Sequence, residues 1–264
     1  MIPKRLLFAY TECMSNYYTA KRTRGLYSPA SKEPFKLSRS KLELSLECPR
    51  CFYIDRRLGV GRPPGFPFNL NSAVDTLLKK EFDAHRIAGT KHPLQEHYGI
   101  DAVPVAHDDL DTWRHNFTGV QSLHAPTNFL VFGAIDDLWV NSAGEYLVVD
   151  YKSTAKAGKI EALDKDWHGG YKRQMEVYQW LLRQKGYKVS NTGYFVYCNG
   201  MLDKEAFDAR LEFDVTLIPY EGDDTWVEKA LVRAKTILDA DVLPNATSAC
   251  DYCAYHEARL SVER

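Results

Sequence analysis

No apolar run in this 264-residue chain approaches the length of about 20 residues that a membrane-crossing helix needs, so no partner membrane is expected. A secretory leader is also missing: Lys4-Arg5 precedes an apolar stretch, but Thr11 and Glu12 end it too soon. A cytoplasmic protein is therefore expected, and its six cysteines do not read as a disulfide framework. Internal repeats and low-complexity tracts are absent, which excludes solenoids and tail-like binding segments. No helicase motif is visible, so any motor must be a separate chain. Net charge is almost nil, at −1. The balance hides an asymmetry: residues 1–62 hold thirteen Lys/Arg and five Asp/Glu, a net of +8, which leaves −9 for the rest. A basic stretch interleaved with Tyr and Phe suits a phosphate backbone with aromatics against bases. A solvated surface balancing an acidic body would look the same.

What the chain does have begins with carboxylates on two neighbouring strands. Residues 129–140 (FLVFGAIDDLWV) and 145–152 (EYLVVDYK) are rich in β-branched and aromatic residues, with Asn141-Ser142-Ala143-Gly144 between them. A three-residue loop with Gly144 left-handed pairs Asn141 with Glu145 and brings Asp136 opposite Asp150. Side chains alternate, so Asp136, Asp150 and Lys152 share one face while Asp137 and Tyr151 point away. Facing carboxylates repel, and a divalent cation between them relieves the repulsion. Mg²⁺ takes one or two carboxylates, keeps several waters and binds substrate phosphate. Lys152 can support the attacking water or the developing charge, and the Tyr151 carbonyl can complete the metal shell. The plainer alternative is two acidic strand ends neutralised by Lys152.

A helical pattern over Tyr171–Lys185 puts Gln174 and Tyr178 on one face, four residues apart. Taken together, the string GAID…VVDYKST…QMEVY resembles the RecB-like branch of the PD-(D/E)XK nuclease superfamily, over residues 37–255. The resemblance implies metal binding by Asp136 and Asp150, a catalytic Lys152, and Gln174 and Tyr178 supporting DNA or the site. It implies a divalent-metal-dependent deoxyribonuclease, an exonuclease using Mg²⁺ or Mn²⁺ on single- or double-stranded DNA, with a separate helicase as a possible partner. Members of that branch carry a histidine on an early helix as an extra ligand. Here the helix expected over Leu70–Arg86, with Asn71 as N-cap, places Asp75 at that point, and Asp75 can substitute as a hard-metal ligand. Glu81 and Asp83 are further carboxylates on the same helix.

Four cysteines form two pairs, Cys48-Pro49-Arg50-Cys51 and Cys250-Asp251-Tyr252-Cys253, and each C-x-x-C can grip one side of a metal centre. Spacing alone favours Zn²⁺. The resemblance favours a 4Fe-4S cluster stapling the two ends, although its usual count is one early and three late cysteines. Cys13 and Cys198 are single and read as inert.

The expected fold is α/β: a restriction-endonuclease-like core, with a central mixed β-sheet flanked by helices and a cysteine-rich metal-stapled cap. Residues 1–36 read as a basic arm, 37–255 as the nuclease domain and 256–264 as a tail. Ser40-Lys41-Leu42-Glu43 reads as a capping box opening the helix before Cys48. Residues 59–67 are a Gly/Pro loop, and 153–170 a loop bordering the substrate. Strands are expected at 191–199 and 206–217, and a helix at 222–239. Five histidines between 92 and 124 lack ligand spacing and read as scattered on the surface. Two other readings fit the chain: a non-catalytic nucleic-acid-binding module, and an interaction protein with a structural zinc centre.

Overall fold

The computed structural model describes residues 18–19, 21–65 and 68–263; Cys13 and half of the basic arm lie outside them. In chain order the strands are β1 (Phe35–Ser38), β2 (Val103–Pro104), β3 (Val120–His124), β4 (Phe129–Gly133), β5 (Asp137–Val140), β6 (Tyr146–Thr154), β7 (Thr192–Gly200) and β8 (Phe213–Glu221). The helices are α1 (Arg39–Glu47), α2 (Pro49–Tyr53), α3 (Asn69–Ala88), α4 (Pro93–His97), α5 (Leu110–Arg114), α6 (Gly169–Gln184), α7 (Val227–Asp239) and α8 (Asp251–Val262). No helix among the described residues is long and apolar enough to cross a membrane.

The strands form two sheets, ordered β1-β4-β3 and β2-β5-β6-β7-β8. The larger is mixed: β6 and β7 run parallel, and the other pairs are antiparallel. Alternation along β6 sorts its side chains between two cores. Val148 joins Met175, Tyr178 and Leu181 of α6 in one apolar cluster. Leu147, Val149 and Tyr151 join Leu78 and Phe82 of α3 in the other. The sheet is thus flanked by helices on both faces, as a buried mixed sheet requires.

Residues 129–140 are not one strand. The chain leaves the small sheet at Gly133 and enters the large one at Asp137. Between them, Ile135 N–H donates to Trp113 O (3.1 Å) and the Arg114 side chain donates to Asp136 O (2.9 Å). Helix α5 takes the backbone groups that a continuous ladder would have used. The hairpin register is nevertheless the expected one. Asp137 pairs with Val149 and Val140 with Tyr146, Asn141 N–H reaches Glu145 O (3.1 Å), and Gly144 has φ +72°.

Other boundaries move for local reasons. The cap of α1 is Ser38, whose hydroxyl accepts from Lys41 N–H (3.3 Å), not Ser40; Glu43 binds Arg173 instead of folding back. Asn71 does not cap α3. It lies inside the helix, and its amide donates to Ser153 O (2.9 Å), tying α3 to the end of β6. β8 begins only where Phe213 pairs with Gly200, because Asp208 and Ala209 take left-handed turn conformations. α7 begins after a turn at Asp223-Asp224 rather than at 222. Within the segment read as the arm, Tyr27 is buried and packs edge-on against Phe35 and Phe129. α8 continues through most of the segment read as the tail. The histidines are not uniformly on the surface: His92 stacks on Phe82, and His124 is buried against Trp180.

Candidate active site and cysteine centre

Asp150 lies inside β6 and is fully buried on the face turned to α6. Its carboxylate is paired with Lys152 two residues on, and its Oδ1 accepts from Gln174 Nε2 at 2.9 Å. The Gln174 amide also meets the Tyr178 hydroxyl at 2.9 Å. One turn of α6 therefore delivers both side chains to the same carboxylate, as the i, i+4 spacing demands. Burial pushes the Asp150 carboxyl up; Lys152 pulls it down and Asp136 adds repulsion, leaving it at about 6. Burial alone would lower the Lys152 ammonium, but Asp150 and Asp136 outweigh it and hold it above its ordinary value. The ammonium also lies 4.7 Å over the Tyr171 ring.

Asp136 stands just before β5, and its Oδ2 accepts from Tyr151 N–H (2.9 Å). The N–H and C=O of one strand residue point to the same side. The Tyr151 carbonyl is therefore directed to the Asp136 side, beyond the last paired residue of β5. Asp136, Asp150 and this carbonyl form a hard-oxygen set that suits Mg²⁺ or Mn²⁺. Lys79 of α3 reaches Asp136 (3.6 Å) and Asp75 (2.8 Å), so Asp75 borders the site through one ammonium. Asp75, Asp136 and Asp150 do not bring three ligand oxygens within 4.8 Å of one another; among the described residues only the four cysteines do so. Glu81 and Asp83 turn elsewhere, to His92 and to Arg86 and Arg114.

Three neighbours escaped the sequence reading. Lys79 had a signal, its i+4 spacing from Asp75. Tyr171 sits one turn before Gln174 on α6, but only the tertiary fold shows that it lies under Lys152. Arg39, whose charge offsets the burial of Asp150 and Tyr178, carries no local signal. Gly133 has a reason of its own: a Cβ there would meet the Tyr178 ring at 2.5 Å. Gly133→Ala is expected to displace Tyr178 and cost about 1–3 kcal/mol, visible as a lower denaturation midpoint.

Asp137 points away from this site, as the alternation requires, but it is not an idle surface acid. It is fully buried and accepts from Arg86, Arg114 (2.8 Å), Trp139 Nε1 (3.2 Å) and the Tyr151 hydroxyl (2.8 Å). Asp137→Asn therefore disturbs the fold itself. It leaves Asp83 as the remaining carboxylate on two nearly buried guanidiniums and is expected to cost ~1–3 kcal/mol, read by thermal or denaturant unfolding.

Much of the N-terminal positive charge is also committed to structure. Arg22 pairs with Asp55, and Arg56 donates to Gly25 O (2.9 Å). Arg57 donates to Leu238 O (2.8 Å), and Arg62 pairs with Glu47 (2.7 Å). Neutralising Arg56 and Arg57 would loosen these joints before it reported on nucleic acid.

The cysteine pairs converge from opposite ends of the chain. Cys48 caps α2 and Cys250 caps α8. Sulfur separations are 3.8 Å for Cys48–Cys253, 3.6 Å for Cys51–Cys250 and 3.6 Å for Cys51–Cys253. All four ligand atoms lie within 4.8 Å of one another, so this group can hold a metal. Burial pushes the Cys48 thiol up, but hydrogen bonds from the backbone at Cys51 and Thr247 and from neighbouring thiols bring it down to about 6. The Arg62 guanidinium lies 3.5 Å from Cys250 Sγ and offsets thiolate charge. Cys198 is buried in β7, and burial raises its thiol to about 11, as suits an inert core residue.

A mixed sheet with paired acids and a lysine at a hairpin, backed by a Gln/Tyr helix, is the architecture of a metal-dependent nuclease. The family model of the PD-(D/E)XK nuclease superfamily matches residues 70–258, and the chain belongs to that superfamily. It is similar to a solved structure titled "Crystal structure of SSO0001", with 14% identity, 86% of each chain covered and a TM-score of 0.37. No curated protein matches the chain.

Proposed function

We propose that this protein is a divalent-metal-dependent deoxyribonuclease of the RecB-like type, acting as an exonuclease. The observation that carries the reading is the joint placement of Asp150, Lys152, Gln174 and Tyr178 around one buried carboxylate, with Asp136 fastened to the next residue of the strand. Asp136, Asp150 and the Tyr151 carbonyl would hold Mg²⁺ or Mn²⁺, and Asp75 borders them. When bound, the ion supplies Lewis acidity at the phosphate and a water of lowered pKa. Lys152, kept protonated by the two acids, offsets the charge that develops on the phosphoryl oxygens. Gln174 fixes the Asp150 rotamer, and Tyr178 holds Gln174 from behind. The test is Mg²⁺- or Mn²⁺-dependent degradation of end-labelled and closed circular DNA. Cleavage of ends alone supports the exonuclease reading; cutting of circles would replace it with an endonuclease.

For the cysteines we infer one four-coordinate ion, Zn²⁺, in place of the 4Fe-4S cluster that the family resemblance suggests. Four thiolates about 2.3 Å from one ion stand about 3.8 Å apart at the corners of a tetrahedron. Three of the six separations are 3.6–3.8 Å and all four sulfurs lie within 4.8 Å of one another, which supports that arrangement. A cubane needs its four thiolates much further apart, each outside its own iron. Protein purified without oxygen should be colourless and carry one zinc. A brown protein containing iron and sulfide would overturn this reading.

A further inference from the structure

Beside the proposed catalytic lysine runs an aromatic and basic track that the site itself does not use. Lys152 lies over the Tyr171 ring, the Trp167 ring meets Tyr171 edge-on at 5.7 Å, and Lys156 Nζ lies 4.2 Å over Trp167. Trp167 is 48% exposed, unusual for so large a ring held between partners. It opens on a cavity of about 380 Å³, lined also by Lys156, Lys159, His168, Glu161 and the Lys165–Asp164 ion pair. That volume is in the range of about 300–1,000 Å³ of small-ligand sites. Among the described residues, neither Lys156 nor Lys159 has a carboxylate within ion-pair distance.

His168 adds an independent observation. It is only 3% exposed, and its Nδ1 accepts the Lys165 N–H at 3.1 Å. A neutral ring that accepts at Nδ1 carries its proton on Nε2. That buried Nε2 has no hydrogen-bond partner among the described residues. A buried donor without an acceptor is costly, and a ligand oxygen would satisfy it.

We propose that this cavity binds one nucleotide of a single DNA strand next to the phosphate at the catalytic centre. The base lies on Trp167, Lys156 and Lys159 meet backbone phosphate, and His168 Nε2 donates to a ligand oxygen. Trp167 acts as a positioning residue: a base paired in duplex reaches the ring only by unpairing and unstacking, so the site favours single strands or frayed ends. The inference rests on the deoxyribonuclease reading.

The test is equilibrium binding of labelled oligo-dT to full-length Asp150→Asn protein without divalent metal, with and without Trp167→Ala. Trp167→Ala should weaken binding by about 5–100-fold, and Trp167→Phe should restore most of it. An oligomer of equal length made of abasic sugar-phosphate separates stacking from a general structural effect. Removing the bases should weaken the Trp167-containing protein strongly and the Trp167→Ala protein little. Equal losses in both proteins, or duplex bound as well as single strand, would overturn the nucleotide site and leave the nuclease reading standing. If the Trp167-containing protein binds neither single- nor double-stranded DNA, the nuclease reading falls, and the site with it.

Discussion

Asp136→Asn and Asp150→Asn should each lower metal-dependent DNA cleavage by at least about 1,000-fold. On the proposed reading each removes an anionic metal ligand, and with the ion would go both the activated water and the charge neutralisation at phosphate. Lys152→Ala should behave differently. Its ammonium is paired with Asp150, so removing it frees that carboxylate, and Mn²⁺ should bind at least as tightly as before. Cleavage should still fall by about 100–1,000-fold, because the lost charge acts on the transition state. Metal titration followed by rate measurement on the same three variants separates these cases. The control is Asp241→Asn, whose side chain is 97% exposed beyond α7, and it should cleave at the parent rate. Parent-level cleavage by Asp150→Asn would remove the site assignment altogether.

The second large effect concerns the cysteine centre. Replacing any one of Cys48, Cys51, Cys250 or Cys253 with Ser removes a ligand from a site that joins α2 to α8. Structural zinc binding in small domains contributes an apparent ~10–16 kcal/mol at neutral pH, so losing part of it matters against typical stabilities of about 5–15 kcal/mol. A melting temperature lower by roughly 10 °C or more is expected, together with loss of stoichiometric zinc. Stripping the metal with a chelator should reproduce the shift in the parent and leave the Ser variants little changed. Unaltered melting in all four variants would show that the ends are held without metal.

The hairpin was readable because its information is local. Gly144 sets the loop, the loop sets the register, and period two then sorts Asp136, Asp150 and Lys152 from Asp137 and Tyr151. Gln174 and Tyr178 were readable for the same reason, at helical spacing. The break at Ala134–Asp136 was not, because its cause is a pair of bonds from α5, more than twenty residues earlier. The part of Asp137 was hidden likewise: alternation gives its direction but not the two arginines, on α3 and α5, that meet it. Arg56 and Arg57 looked like free charge because a sequence shows a guanidinium but not the carbonyls of Gly25 and Leu238. Sulfur spacing, which bears on zinc against iron–sulfur, depends on how both chain ends dock and was out of reach of residue counting.

The two cysteine knuckles have a bearing on how the chain is made. Cys250 and Cys253 follow every strand of both sheets, while Cys48 and Cys51 precede all but β1. During synthesis the early pair therefore waits while some two hundred residues emerge, and every strand precedes the pair that completes the centre. Closing so long a loop costs little more entropy than closing a short one once its ends are held together by a folded body. An ion bound there would act as a latch on the folded body rather than as a nucleus. A nascent chain released before Cys250 would leave the Cys48 and Cys51 thiols at α2 without the pair that closes their centre.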